Sequence, residues 1–359
     1  MVLTRRASRC ILRWLPNELL SDIISLALVA DKVSLCRVSR LFNALAILSL
    51  YRVVTLNSYT QLCQFRAALS NDSTRASVVR TFSMSDTLGD PGSDDLPETS
   101  FYGALSTMDR VEILELEVSP FDERYMGILR HCTFPRLHDF KYISPISQQK
   151  LIQRFLCRHP DLSRLIIGGL DTPVDNTSNL PLPLPKLRYY VGPTSFMDFF
   201  PPGIKQILLL WTVENPDIDA SFMKLGPLTS QGTQLVFSSL YIRDPHGAIF
   251  GSLARHLQHT ECIQLRSVAN QTGRLEDEYI DAVSRSLGSF TALRYLALEF
   301  LALLDPVRAP AEATEQDRGT VEKWGHICPS LRECCFRTSP PACLGRQLIS
   351  PQMGMHGGF

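Results

Sequence analysis

An excess of either charge sign is missing: 36 Lys and Arg stand against 36 Asp and Glu in 359 residues. A protein that neutralises phosphates carries surplus basic side chains, so the balance argues against a nucleic-acid partner. Long apolar runs are missing too. None approaches the roughly 18 residues of a bilayer span, which argues against a membrane partner. The ten cysteines include no CxxC pair and no framework spacing, a pattern that fits reduced thiols in cytosol or nucleus. Catalytic signatures are also lacking: there is no nucleophile elbow, phosphate-binding loop, dinucleotide fingerprint or zincin helix. The chain therefore reads as a protein that is not an enzyme and has no cofactor.

What is present begins at the amino terminus. Residues 1–14 form a basic leader with Arg5, Arg6, Arg9 and Arg13, and the first acidic residue is Glu18. A mitochondrial presequence shares that bias, but folded-looking sequence follows without a spacer. The stretch LPNELLSDIISLAL, Leu15 to Leu28, has a polar strip of Glu18, Ser21, Asp22 and Ser25, with apolar side chains over the rest of the wheel. Grease on two sides of one helix implies packing on two sides. Leu35, Val38, Phe42 and Leu45 continue with a helical period, Asp31 or Ser34 being available as N-cap, and a third helix is expected around Asn43 to Leu50. Three helices in roughly 40 residues are too small to stand alone without a metal, a disulfide or something to dock on.

At this point the sequence resembles the F-box proteins. The carrying residues are Leu15-Pro16-x-Glu18-Leu19-Leu20-x-x-Ile23-Ile24, then Asp31, Ser34-Leu35-x-x-Val38-Ser39-Arg40-x-Phe42-x-x-Leu45, and Leu50-Tyr51-Arg52. The resemblance covers residues 15–56, and Phe42 stands where many members have Trp. It implies a three-helix module that binds a Skp-type adaptor of a cullin-RING ubiquitin ligase. Leu15, Pro16, Leu19, Leu20, Ile23 and Ile24 would then lie at or beside the adaptor, with Val38 and Phe42 packing or touching from the second helix. The competing readings are a helical cap on the rest of the chain, and a helix-turn-helix DNA reader. The latter fares badly because NALAILSLY offers no Arg, Lys or Gln to a base edge.

The remainder is repetitive. Apolar-x-x-apolar-x-apolar recurs with anchors at Val79, Val111, Leu137, Leu162, Leu187, Ile204, Phe237, Cys262, Leu293 and Leu331, and a proline often stands two residues before the anchor. The central spacing of about 25 residues is that of a leucine-rich repeat. Such a proline stops the preceding helix and is tolerated where a strand begins. Helix-like pieces, Gln149 to Cys157, Ile249 to Gln258, Glu278 to Leu287 and Val321 to Ile327, lie between anchors. The fold class expected is therefore α/β: a three-helix F-box over 15–56, then an irregular leucine-rich-repeat-like solenoid over 57–338 with a parallel sheet on its concave face. The asparagine that such repeats place eight positions after the anchor appears only at Asn270. An acidic loop (85–100) and an insertion (305–319) interrupt the repeats, and the tail (339–359) reads as frayed.

Candidate binding residues follow from the strand pattern. Apolar positions turn inward and the intervening ones face solvent. On that reasoning His138, Lys141, Arg164, Arg188, Tyr189, Lys205, Arg266, Arg294, Tyr295 and Arg332 are available to a target protein, Arg and Tyr being frequent interface anchors. The nearest thing to a metal set is His256-x-x-His259-x-x-Cys262. It falls where one repeat passes into the next, so the reading is of repeat architecture and no metal.

Overall fold

The structure, a computed structural model, describes residues 15–86, 103, 105–118, 126–144, 149–168, 184–211, 217–229, 234–239, 248–268, 277–301 and 313–339. It is an α/β protein of parallel strands alternating with helices. The elements begin with α1 (Asn17–Leu26), α2 (Val29–Leu35), α3 (Arg40–Arg52), β1 (Val53–Leu56) and α4 (Tyr59–Asn71). Next come β2 (Thr81–Asp86), β3 (Ile113–Val118), α5 (Met126–His131), β4 (Asp139–Ile143) and α6 (Gln149–Cys157). They are followed by β5 (Arg164–Gly168), β6 (Tyr189–Gly192), β7 (Gln206–Trp211), α7 (Ile218–Leu225), β8 (Gln234–Ser239) and α8 (Ala248–His256). The last are β9 (Cys262–Val268), α9 (Asp277–Leu287), β10 (Tyr295–Leu301), α10 (Ala313–Ile327) and β11 (Glu333–Ser339). The chain falls into two compact units, one of residues 1–144 and 148–162, the other of 145–147 and 163–359.

In the first unit β1 to β4 pair in chain order and all in parallel. Val54, Phe82, Leu114 and Phe140 form one inward row, and Leu56, Met84, Leu116 and Tyr142 the next. All eight are buried. Strand β1, read from sequence as the end of the helical head, is thus the first strand of the sheet. His159 closes the last turn of this unit. Its Nε2 accepts from the Phe134 N–H (2.9 Å) and its Nδ1 lies 2.7 Å from the Phe155 carbonyl oxygen, so the ring is neutral with its proton on Nδ1.

In the second unit β5 to β11 also pair in chain order and in parallel, with Leu165, Tyr190, Ile207, Leu235, Ile263 and Leu296 in one buried row. Register corrects two repeat frames. Leu209 pairs with Phe237 and Ile207 with Leu235, so Phe237 is the third apolar position of its repeat and not the anchor. Ile263 likewise pairs with Leu296, which makes Thr260, buried, the anchor in place of Cys262. With the frames set this way Asn270 leaves the eighth position, and no repeat carries the expected asparagine. In the shortest repeat Gly192 holds the third apolar place. The Tyr190 hydroxyl, bonded to the Pro193 carbonyl at 2.6 Å, fills the space where a Cβ would sit.

The loops expected from sequence are only partly described. Ser85 and Asp86 belong to β2, and the rest of the acidic segment lies outside the described residues. Of the 305–319 insertion, residues 313–319 are helical and form the first turns of α10, and the rest lies outside the described residues. Trp324 is fully buried there and its Nε1–H donates to Ser284 Oγ at 2.8 Å. Residues 340–359 lie outside the described set.

Candidate docking surface on the helical head

The first fifty residues fold differently from the periodic reading in one respect. Leu35, Val38 and Phe42 do not share one helix. Val38 sits in a turn closed by Arg37 N–H to Ser34 O and Val38 N–H to Leu35 O, both 3.0 Å. Ser39 then adopts an extended conformation, and its hydroxyl accepts from the Phe42 N–H at 3.2 Å, starting α3. An N-cap oxygen satisfies an amide that the first turn leaves orphaned, and here that outweighs the i, i+3, i+7 pattern. Neither Asp31 nor Ser34 is a cap; both lie inside α2, which begins after Leu28. Asn43 Nδ2 donates to the Cys36 carbonyl at 2.9 Å and so ties α3 back to the turn.

Helices α1 and α2 both pack on α3, around the fully buried Ala46. On α1 the two apolar stripes separate. Leu20 and Ile24, one turn apart, point inward and are 4% and 2% exposed. Leu19, Ile23 and Leu26 form a second stripe at i, i+4 and i+7, with Leu26 87% exposed. Leu28, Val29 and Val33 continue the exposed set along α2, and Val38, Leu41 and Leu48 add to it. Of the eleven large apolar side chains exposed among the described residues, nine fall between Leu19 and Leu48. Of the residues expected at an adaptor, then, Pro16, Leu19, Ile23 and Val38 are exposed, Leu15 and Phe42 are half-buried, and Leu20 and Ile24 are in the head's own interior. No family model matches the chain, and no curated protein matches it.

The head is joined to the sheet by aromatic packing within its unit. Tyr51 stacks on Phe65 (6.3 Å), which meets Phe82 of β2 (5.9 Å). Arg75 lies over the Tyr51 ring at 5.3 Å, donates to its hydroxyl and pairs with Asp72. The Thr74 hydroxyl, first, and then the Arg75 charge hold the Asp72 carboxyl below its ordinary range.

The proposed target residues are more scattered. His138, Arg188, Lys205, Arg294 and Arg332 are exposed, and Arg164, Tyr189 and Tyr295 are half-buried. Arg266 is on β9 at a position whose side chain lies outside the described residues. Lys141 is a correction: it is buried, its ammonium 3.8 Å from Glu117 on the neighbouring strand.

Two look-alikes of chemistry resolve into scaffolding. Asp219, Ser252 and His256 come together, a set that sequence reading missed because the partners are more than thirty residues apart. Ser252 Oγ donates to Asp219 Oδ1 (2.6 Å), and His256 Nε2 is 3.1 Å from the same oxygen. The serine thus hydrogen-bonds the carboxylate, with no imidazole to take its proton, and is itself buried. The His256, His259 and Cys262 series disperses: His259 bonds Thr291 Oγ1 at 3.0 Å, and burial pushes the Cys262 thiol up to about 11. Among the described residues no three His, Cys, Asp or Glu side chains converge on a metal-sized site, and no helix is long and apolar enough to cross a membrane.

Proposed function

We propose that this chain is a substrate receptor of a cullin-RING ubiquitin ligase, acting in cytosol or nucleus. Its F-box-like head docks a Skp-type adaptor, and its leucine-rich-repeat-like sheet holds the protein to be ubiquitinated. The observation that carries the reading is the exposed stripe of Leu19, Ile23 and Leu26 beside the motif that resembles an F-box. Apolar surface of this extent on a small helical unit is a docking surface by default. Burying each such side chain is worth about 1.5–3 kcal/mol. No residue of the chain performs the transfer; the protein acts by raising the effective concentration of target near the ligase. A head that merely capped its own sheet is the alternative, and it gives this stripe no purpose.

The test is capture of a purified Skp-type adaptor by the full chain, wild type against Leu19→Asp/Ile23→Asp. Both positions are exposed, so the variant should keep its circular dichroism and melting temperature. Capture should fall by roughly a hundredfold, since two carboxylates would be desolvated in the interface. Absence of capture by the wild type, or undiminished capture by the folded variant, rejects the ligase reading.

A further inference from the structure

The outer face of the sheet differs in charge between the two units. At the two positions that open each strand the first carries Arg52 and Arg80 against Glu112 and Asp139, with Arg80 paired to Glu112 (3.4 Å); further along, Lys141 pairs with Glu117 (3.8 Å). In the second, the two positions at the start of each strand hold Arg164, Arg188, Lys205, Arg294 and Arg332 against Glu261 and Glu333. Glu261 already faces Arg294 at 3.8 Å. The cations concentrate at β5 to β7, where Ser163, Arg164, Arg188, Tyr189, Lys205 and Gln206 include no acid.

Backbone bonds fix this corner. Arg188 N–H donates to Ser163 O (2.8 Å) and Lys205 N–H to Arg188 O (2.9 Å), so the three stand side by side on successive strands, about 4.8 Å apart. Arg164 lies over the Tyr189 ring at 4.9 Å. Arg188 NH1 donates to the carbonyl of Gly203 (3.3 Å), a residue at φ +93° where only glycine is unstrained. That bond holds the guanidinium in place and leaves its other N–H groups free for a carboxylate. Arg188 and Lys205 are exposed.

We infer that the corner formed by Arg188, Lys205 and the Arg164–Tyr189 pair binds an extended acidic segment of a partner protein. The inference rests on the reading of the sheet as the target-holding surface, and it names the class of target. Alternate side chains of an extended segment are about 6.7 Å apart, wider than the strand spacing, and the long Arg and Lys stems span that difference so that successive carboxylates can meet cations on neighbouring strands. A nucleic acid fits less well. Its affinity scales with the number of phosphates neutralised, which is small here, and Arg164 occupies the aromatic face a base would stack on.

The probe is fluorescent poly-L-glutamate, titrated with the full chain and followed by anisotropy at moderate salt. Wild type is expected to bind, with affinity falling as salt rises. Arg188→Glu/Lys205→Glu should weaken binding by roughly tenfold or more. Arg285→Glu/Lys224→Glu, equal in charge but on helices, should leave it near wild type. Melting temperatures and retained adaptor capture by the first variant separate this loss from misfolding and from failure of the ligase reading. No binding by wild type, equal losses in both variants, or tighter binding to an oligothymidylate with the same loss overturns the inference.

Discussion

His159 shows how one buried residue ties folding to pH. Burial, first, and then the nearby Arg158 charge depress its pKa to about 4 from 6.5, while its bond to the Phe155 carbonyl opposes them. The unfolded chain therefore binds the proton more readily than the folded one. The stabilisation is complete above pH 6.5 and is lost as pH falls toward 4, by about 3 kcal/mol in all. Urea unfolding between pH 4 and 7 should show that slope, and His159→Leu should flatten it while lowering stability at pH 7, because the Phe134 N–H loses its acceptor. None of this was legible in sequence. In the sequence His159 is only a histidine three residues before the Leu162 anchor, and its partners are set by how Phe134 and Phe155 pack against it. Lys141 erred for the same reason, since alternation along a strand predicts direction but not what neighbouring strands lay over the side chain.

At the scale of elements, local chemistry overrode periodicity at Ser39. The apolar pattern runs on from Leu35 to Leu45, but a capping hydroxyl and a three-residue turn divide it. Replacing that hydroxyl should be felt: Ser39→Ala is expected to cost about 1 kcal/mol. Ser34→Ala removes a hydroxyl that merely bonds the Ala30 carbonyl within α2 and should stay within about 0.5 kcal/mol. Thermal melts of the two variants distinguish the caps. Elsewhere elements were readable where apolar spacing and a proline stop coincided, as at α6, whose bounds match the expected Gln149 to Cys157. The frames at β8 and β9 slipped because neighbouring apolar residues offered a rival match and only strand pairing selects between them.

Across the whole molecule, repetition makes stability local. Each repeat rests on its neighbours in the chain, so damage should spread only a repeat or two. Trp324→Ala empties a fully buried site in α10 and breaks the bond to Ser284, at an expected cost of about 3–5 kcal/mol. Hydrogen exchange should rise in α9, α10, β10 and β11 and stay near wild type in β5 and β6; uniform acceleration across the second unit would contradict a repeat fold.

By itself the sequence determined that strands and helices alternate, that the strands are parallel with an apolar inner face, and that three helices precede them, since these follow from residue spacing along one chain. The tertiary structure decided the rest. Which of two adjacent apolar stripes on α1 is buried, which cations remain open on the sheet, and which frame a repeat takes all depend on what packs alongside. Leu20 and Leu19 are the same residue type one position apart, and contact with α3 alone makes one of them core and the other surface.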